Sequence, residues 1–251
     1  MTTQNTIPEE SKKALRQTQG KVGKYYDDVP DYMIDVYDWA YVNPKKVALL
    51  DRNIVVWVLL FLNAGRLMKR YLDQIKPGMR VWQAAHVYGD LVKKAAAKVG
   101  PEGAFHLTDV TPVQVEHAEK KIGHHPWVTI TRQDAANYHA SEPYDLTCSF
   151  FLLHEIPDEK KYQVVDRILE NIGDKGKAVF VDYHNPNALH PIRLILRFVN
   201  WWLEPFAEAM WLHSIKSYAS HPERYRWSQE TLFGGVYQCV IAEPLTETKQ
   251  S

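Results

Sequence analysis

This sequence predicts an α/β fold with a mostly parallel central sheet and helices on both faces, and three observations carry that expectation. Strand and helix signals alternate from Met79 to Asp182, the order that builds a parallel sheet through helical crossovers. The stretch Val81-Trp82-Gln83-Ala84-Ala85-His86-Val87-Tyr88-Gly89-Asp90-Leu91 has the layout of a strand–loop–helix turn that cradles a nucleotide. An acid, Asp109, follows Gly89 at the spacing of about twenty residues at which such folds place a ribose-binding carboxylate.

The elements follow in order. Residues 1–24 are polar and read as a tail, with neither a signal peptide nor a membrane span. Residues 25–75 read as helical, with a break at Asn43-Pro44 and an apolar run from Ile54 to Leu62 that is too short to cross a bilayer. Lys76-Pro77-Gly78 is a turn. Strands are expected at Val81–Ala85, Ala104–Leu107, Trp127–Thr131, Tyr144–Phe151 and Gly176–Asp182. The helices between them are expected at Asp90–Val99, Pro112–Lys121 and Asp158–Ile172. Residues 76–243 thus form the main domain, with a helical insertion at 187–227. A helix starting near Ser228, where Ser228-Gln229-Glu230-Thr231 has capping character, should lead to a last strand at Val236–Glu243 and a short tail at 244–251.

Composition narrows the function. Of 251 residues, 45% are hydrophobic, enough for a full core. Lys+Arg and Asp+Glu both total 30, so no global basic field points to nucleic acid. Cys148 and Cys239 lie in apolar runs and read as buried hydrophobes, which makes a reducing, cytoplasmic setting the default expectation.

Candidate site residues sit at the ends of the predicted strands. Asp109 is placed to accept ribose hydroxyls or to cap the helix after it. Asp134, with Ala135 following, suits an adenine amino group or a plain loop. Gln83 stands where such turns carry an acid, and Ala85, Val87 and Gly89 occupy the three glycine positions. Tyr88 is a ligand contact or a surface aromatic at a helix start.

These residues, together with Tyr144-Asp145-Leu146 and Leu153-His154-Glu155-Ile156-Pro157-Asp158, resemble the class I S-adenosylmethionine-dependent methyltransferases over about residues 76–243. The departures at Gln83, Ala85 and Val87, with Val87-Tyr88-Gly89-Asp90 in place of the glycine loop, resemble the rhodoquinone biosynthesis family within that superfamily. The resemblance implies a Rossmann-like fold and a cofactor set of Gln83, Ala85, Val87, Gly89, Asp109, Val110, Asp134 and Ala135. It implies exchange of a ring methoxy of ubiquinone for an amino group, with S-adenosylmethionine as amino donor and manganese (Mn2+) assisting. Gln83, Tyr88, His154 and Tyr183 become the candidate catalytic groups. Two alternatives stay open: a conventional methyltransferase on a lipophilic ring, and a non-catalytic binding protein with an eroded loop.

Replacing the acid by Gln83 removes a charge that would hold the cofactor's amine protonated, or is a tolerated exchange. His154, Glu155, Asp182 and His184 offer nitrogen and oxygen donors that suit manganese, or His154 only shapes the pocket. Finally, residues 192–212 place Arg193, Arg197, Asn200, Glu204 and Glu208 on one narrow helical stripe and leave the rest apolar, with Trp201, Trp202 and Trp211. Such a helix, which Pro205 can divide, is core or lies at a bilayer interface. In the second case the protein attaches peripherally to the cytoplasmic membrane face, with Arg193 and Arg197 near lipid phosphates.

Overall fold

The computed structural model describes residues 25–42, 47, 50–202 and 206–245. The expected tail at 1–24, residues 246–251 of the tail expected at 244–251 and the Asn43-Pro44 break lie outside these residues, as do the side chains of Trp201 and Trp202.

The N-terminal segment is helical. Helix α1 (Asp31–Tyr37) runs into a π-helical turn (Asp38–Val42), and α2 (Asn53–Leu59) and α3 (Ala64–Leu72) follow. The alternating region then gives β1 (Arg80–Gln83), α4 (Leu91–Val99), β2 (Ala104–Asp109), α5 (Pro112–Ile122), β3 (Val128–Arg132), β4 (Tyr144–Phe150), α6 (Asp158–Glu170) and β5 (Ile172–Tyr183). Short helices α7 (Arg193–Trp202) and α8 (Ala209–Leu212) lead to β6 (Tyr225–Leu232) and β7 (Tyr237–Pro244).

The seven strands form one sheet in the order β3-β2-β1-β4-β5-β7-β6. The first five are parallel, and β7 runs antiparallel to both β5 and β6. Side-chain alternation sends Val81, Leu146, Cys148 and Val179 to one face, under Tyr71, Leu91 and Ala95. It sends Trp82, Ala178 and Phe180 to the other, under Val164, Ile168 and Met210. Parallel strands put the loops after β1, β2, β4 and β5 on one edge. The order reverses between β1 and β4, so a crevice opens there.

One expectation is corrected. Residues 225–232 are a strand, where a helix from Ser228 was expected. Tyr225 and Trp227 alternate onto the sheet face, Trp227 stacks 6.4 Å from Phe180, and the whole stretch pairs with β7. Pairing satisfies every second backbone group of the strand, and a capping pattern four residues long does not compete with it. The overlooked signal was Gly234-Gly235, a hairpin turn whose glycines both take positive φ. The stretch 192–212 holds α7 and α8 with a turn at 206–208 before α8, while Glu204 and Pro205, the residue expected to divide the helix, lie outside the described residues.

Candidate active site

A cavity of about 440 Å³ opens at the carboxyl edge of the sheet, within the size range of ligand pockets. One part of its wall comes from the loops after β1, β2 and β3: Ala85, His86, Val87, Asp109, Val110, Asp134 and Ala135. The loops after β4 and β5 add Phe151, His154, Glu155 and Tyr183. The N-terminal segment closes the remainder with Tyr41, Leu59, Leu60, Phe61 and Met68.

At the nucleotide end, Asp109 lines the cavity but spends most of its acceptor capacity inside the protein. It accepts from the backbone N–H of His86 (3.0 Å) and from the N–H (2.8 Å) and hydroxyl (2.9 Å) of Thr111. A carboxylate has about four acceptor positions, so these bonds leave little capacity for the expected grip on both ribose hydroxyls. Burial raises its pKa to about 6 against the lowering by these bonds. Asp134 likewise caps a 3₁₀ turn through Ala136 N–H (2.9 Å) and pairs with Lys160 (2.9 Å), with Ala135 beside it in the wall.

Gln83 and Gly89 do not reach the cavity wall. The side chain of Gln83 is fully buried; its amide donates to Ala85 O (3.2 Å) and its Oε1 has no partner. Gly89 sits at φ +81°, and its N–H donates to Asp51 (2.8 Å) instead of facing a ligand. Asp51 also meets Lys121 at 2.5 Å and His117 at 3.3 Å. Burial opposes ionisation of Asp51, yet the bonds from His117, Lys121 and Gly89 hold its pKa below the usual carboxylate value.

A residue of the β1 turn that the sequence did not single out, His86, lines the cavity. Its Nδ1 lies 2.8 Å from Gln114 Oε1, while Gln114 Nε2 donates to Tyr88 Oη and to Tyr41 O. This orientation makes Nδ1 the donor and leaves Nε2 as an acceptor. Nε2 is buried without a protein partner in a residue that lines the cavity. Burial, with Lys121 nearby, lowers the imidazole pKa to about 3, so the ring is neutral. Tyr88 donates to Ala40 O and stacks on Tyr41 at 5.4 Å, and burial raises its pKa far beyond the usual range. Its hydroxyl serves the joint between the N-terminal segment and the sheet. The π-helical turn that supplies Ala40 and Tyr41 is of a kind that recurs at functional sites.

At the substrate end, Asp182 accepts from Leu153 N–H (2.9 Å), Tyr183 N–H (2.7 Å) and His154 Nδ1 (2.8 Å). A carboxylate cannot donate, so His154 carries its proton on Nδ1 and turns Nε2 away, 3.6 Å from Glu155 Oε1. Tyr41 donates to that same Glu155 oxygen. Tyr183 packs edge-on against His154 at 4.7 Å. The structure therefore joins His154, Glu155, Asp182 and Tyr183 but not the expected fourth ligand. His184 donates through Nδ1 to Gly235 O (3.0 Å) in the hairpin. Among the described residues, no three His, Cys, Asp or Glu side chains converge as metal ligands. With Asp182 occupied by three donors, this set does not fit a manganese ion.

Arg193 and Trp211 are also reassigned. Arg193 donates to Asn185 Oδ1 (2.7 Å) and to Pro186 O and lies 5.4 Å over the Trp211 ring. Both are internal struts of the insertion, so neither is placed for lipid.

Sheet order, the crevice between β1 and β4 and the antiparallel β7 together define the fold of class I S-adenosylmethionine-dependent methyltransferases. Residues 82–176 match the model of a methyltransferase domain. Among solved structures, TnmH is similar with a TM-score of 0.57 and 14% identity, over 81% of this chain and 59% of that one. A possible exported protein from Bordetella parapertussis gives 0.56 and 16%, over 96% and 81%. Human N-acetylserotonin methyltransferase in complex with S-adenosylmethionine gives 0.55 and 12%, over 89% and 65%. At these identities the likeness is one of fold. No curated protein matches the chain by sequence.

Proposed function

We propose that this chain is an S-adenosylmethionine-dependent transferase acting on a lipophilic quinone, replacing a ring methoxy of ubiquinone with an amino group from the cofactor to give rhodoquinone. The methoxy leaves as methanol, and the cofactor's carbon–nitrogen bond is cleaved with water taking the amine's place. The observation that carries the reading is the continuity of one cavity. Its wall runs from Asp109 and Asp134 at the cofactor loops to Leu59, Phe61, Met68 and Phe150 at an apolar end. Such a wall suits a polar nucleotide-like ligand beside an apolar one.

The amination step is supported by the residues shared with the rhodoquinone biosynthesis family and by the character of the β1 turn. An amine that attacks a ring must be neutral, and a nearby carboxylate opposes that. Gln83 brings no charge, and His86, which lines the cavity, is a neutral imidazole. Asp109, Val110, Asp134 and Ala135 would hold the nucleoside, with Ala85 and Val87 under it. When bound, S-adenosylmethionine supplies the group to be transferred. Tyr183 and Phe151 would flank the ring, and His154 would hold or accept a proton at Nε2. No step is assigned to manganese, because the described residues give it no ligand set.

A second reading, methyl transfer to a ring hydroxyl, is favoured by the His154–Asp182 pair, an arrangement suited to removing a proton from an oxygen nucleophile. Parallel incubations of S-adenosylmethionine with ubiquinone and with an analogue that carries a free ring hydroxyl, each with and without manganese, followed by mass analysis of the quinone, separate the readings. Amination exchanges methoxy for amino and lowers the mass; methylation of a hydroxylated quinone adds one methyl group. A titration with S-adenosylmethionine that gives neither heat nor thermal shift overturns both in favour of a non-catalytic protein.

A further inference from the structure

Helix α2 has the sequence Asn53-Ile54-Val55-Val56-Trp57-Val58-Leu59, and none of its residues is buried. Ile54 is 73% exposed, Val58 64% and Leu59 56%, and Leu62 just beyond the helix is 63% exposed. Helix α7 presents Leu194 (74%), Ile195 (55%) and Phe198 (58%) in the same way. Singly exposed apolar residues need no explanation, but a run of them on a helix with no buried side marks a surface that another phase or partner covers.

The two helices share their inner side. Leu60, which follows α2, and Leu196 of α7 are buried in one core cluster, and both line the cavity together with Val58 and Leu59. The apolar end of the cavity is therefore the back of the same helices whose fronts are exposed. Neither helix contains an acidic residue. Arg52 immediately before α2, Arg66 on α3 and Arg197 on α7 are exposed around them. Among the described residues, no helix is long and apolar enough to cross a membrane.

We infer that α2 and the outer face of α7 seat the protein on an anionic lipid bilayer, with the apolar end of the cavity turned to the acyl chains. The inference rests on the reading of a lipophilic substrate and names the phase that delivers it. Aliphatic side chains and Trp57 would enter the interface, and the three arginines would meet lipid phosphates. Two helices that carry no acid and are flanked by three exposed arginines, against the acid Asp90 bonded to Asn53, suit anionic headgroups better than a second copy of themselves, whose arginines would be apposed.

The test is co-sedimentation of the full chain with vesicles of phosphatidylglycerol and phosphatidylcholine, and with phosphatidylcholine alone. Binding to the anionic vesicles is expected, weakened by salt. A drop of about tenfold or more is expected for Ile54→Ser with Trp57→Ser and for Leu194→Ser with Ile195→Ser. The combination Arg52→Gln, Arg66→Gln and Arg197→Gln should lower binding to anionic vesicles selectively. Because these side chains are exposed, circular dichroism and titration with S-adenosylmethionine should match the parent chain. That titration also reports on the cofactor reading separately, with no lipid present. Absence of binding to either vesicle overturns the inference, as does a dimer in sedimentation velocity that the serine variants dissociate.

Discussion

Asp182 shows how much one carboxylate settles in this site. It accepts two backbone N–H groups and the Nδ1 proton of His154, so it sets which imidazole nitrogen is left for chemistry. Asp182→Ala removes that acceptor, and His154 should lose its preference for the proton on Nδ1. Turnover is expected to fall by about 10²–10⁴-fold while affinity for S-adenosylmethionine stays within about threefold. Nitrogen NMR of the imidazole should report a mixture of tautomers in place of one. Unchanged turnover with mixed tautomers would remove His154 from the proton path. At this scale the sequence located His154, Tyr183, Asp109 and Asp134 at the cavity, because each ends a strand or opens the loop after it. It misplaced Gln83 and Gly89, whose directions depend on the close fit of Ala85 and Asp51 around them. It passed over His86, since a histidine inside a loop motif carries no signal until its partners, here Gln114 and Asp109, are known.

Among the elements, the N-terminal segment is the one that the β1 turn depends on. Gly89 combines φ +81° with a close approach: a Cβ there would lie 3.0 Å from Asn53 Oδ1 and 3.6 Å from Val56. Asn53 in turn donates to Asp90 (2.7 Å). Gly89→Ala should therefore destabilise the protein by about 1–2 kcal/mol from the left-handed backbone alone, with a further loss as Asn53 is displaced. Gly78→Ala is the matched control, with φ +82° and nothing nearer than 3.9 Å. Urea denaturation of both variants checks the expectation; equal losses would show that the contact with Asn53 contributes nothing. The β6–β7 hairpin gives the opposite lesson. Ser228-Gln229-Glu230-Thr231 has helix-start chemistry, but β7 offers a ladder along the full length of β6, and a local preference of a few tenths of a kcal/mol per residue yields to it.

For the whole molecule, three buried groups shape the response to acid. Burial lowers His86 to about 3 and His106 to about 4. Their folded pKa values lie below the unfolded value, so the stability they contribute is complete above about pH 6.5 and is lost as the pH falls towards 4. Asp109, raised to about 6 by burial, acts in the other sense. Its folded form holds a proton that the unfolded chain has released, so it favours folding below its raised pKa and that contribution fades as the pH rises through 6. Two histidines against one carboxylate leave a net expectation: the thermal midpoint should fall between pH 6.5 and 4.5. In Asp109→Ala the fall should be steeper, because the opposing group is gone. A midpoint that is flat across this range, or a shallower fall in the variant, would contradict the burial of these groups.

What the sequence determined by itself is the sheet through β5 and the edge on which its ligand loops gather. Both follow from local information: apolar runs of strand length, helical spacing between them, and the right-handed crossover that lets each helix pack back on the sheet. The acids after β2 and β3 were legible for the same reason, since a strand end is a position along the chain. Tertiary structure alone decided which atoms those residues offer. Whether Asp109 faces a ribose or the N–H of His86, whether Asp182 turns to a metal or to His154, and whether Arg193 reaches lipid or Asn185 all depend on which groups burial brings within about 3 Å. A buried polar group takes the nearest complementary partner because leaving it unpaired costs about 1–3 kcal/mol, and that partner is set by packing between segments far apart in the chain.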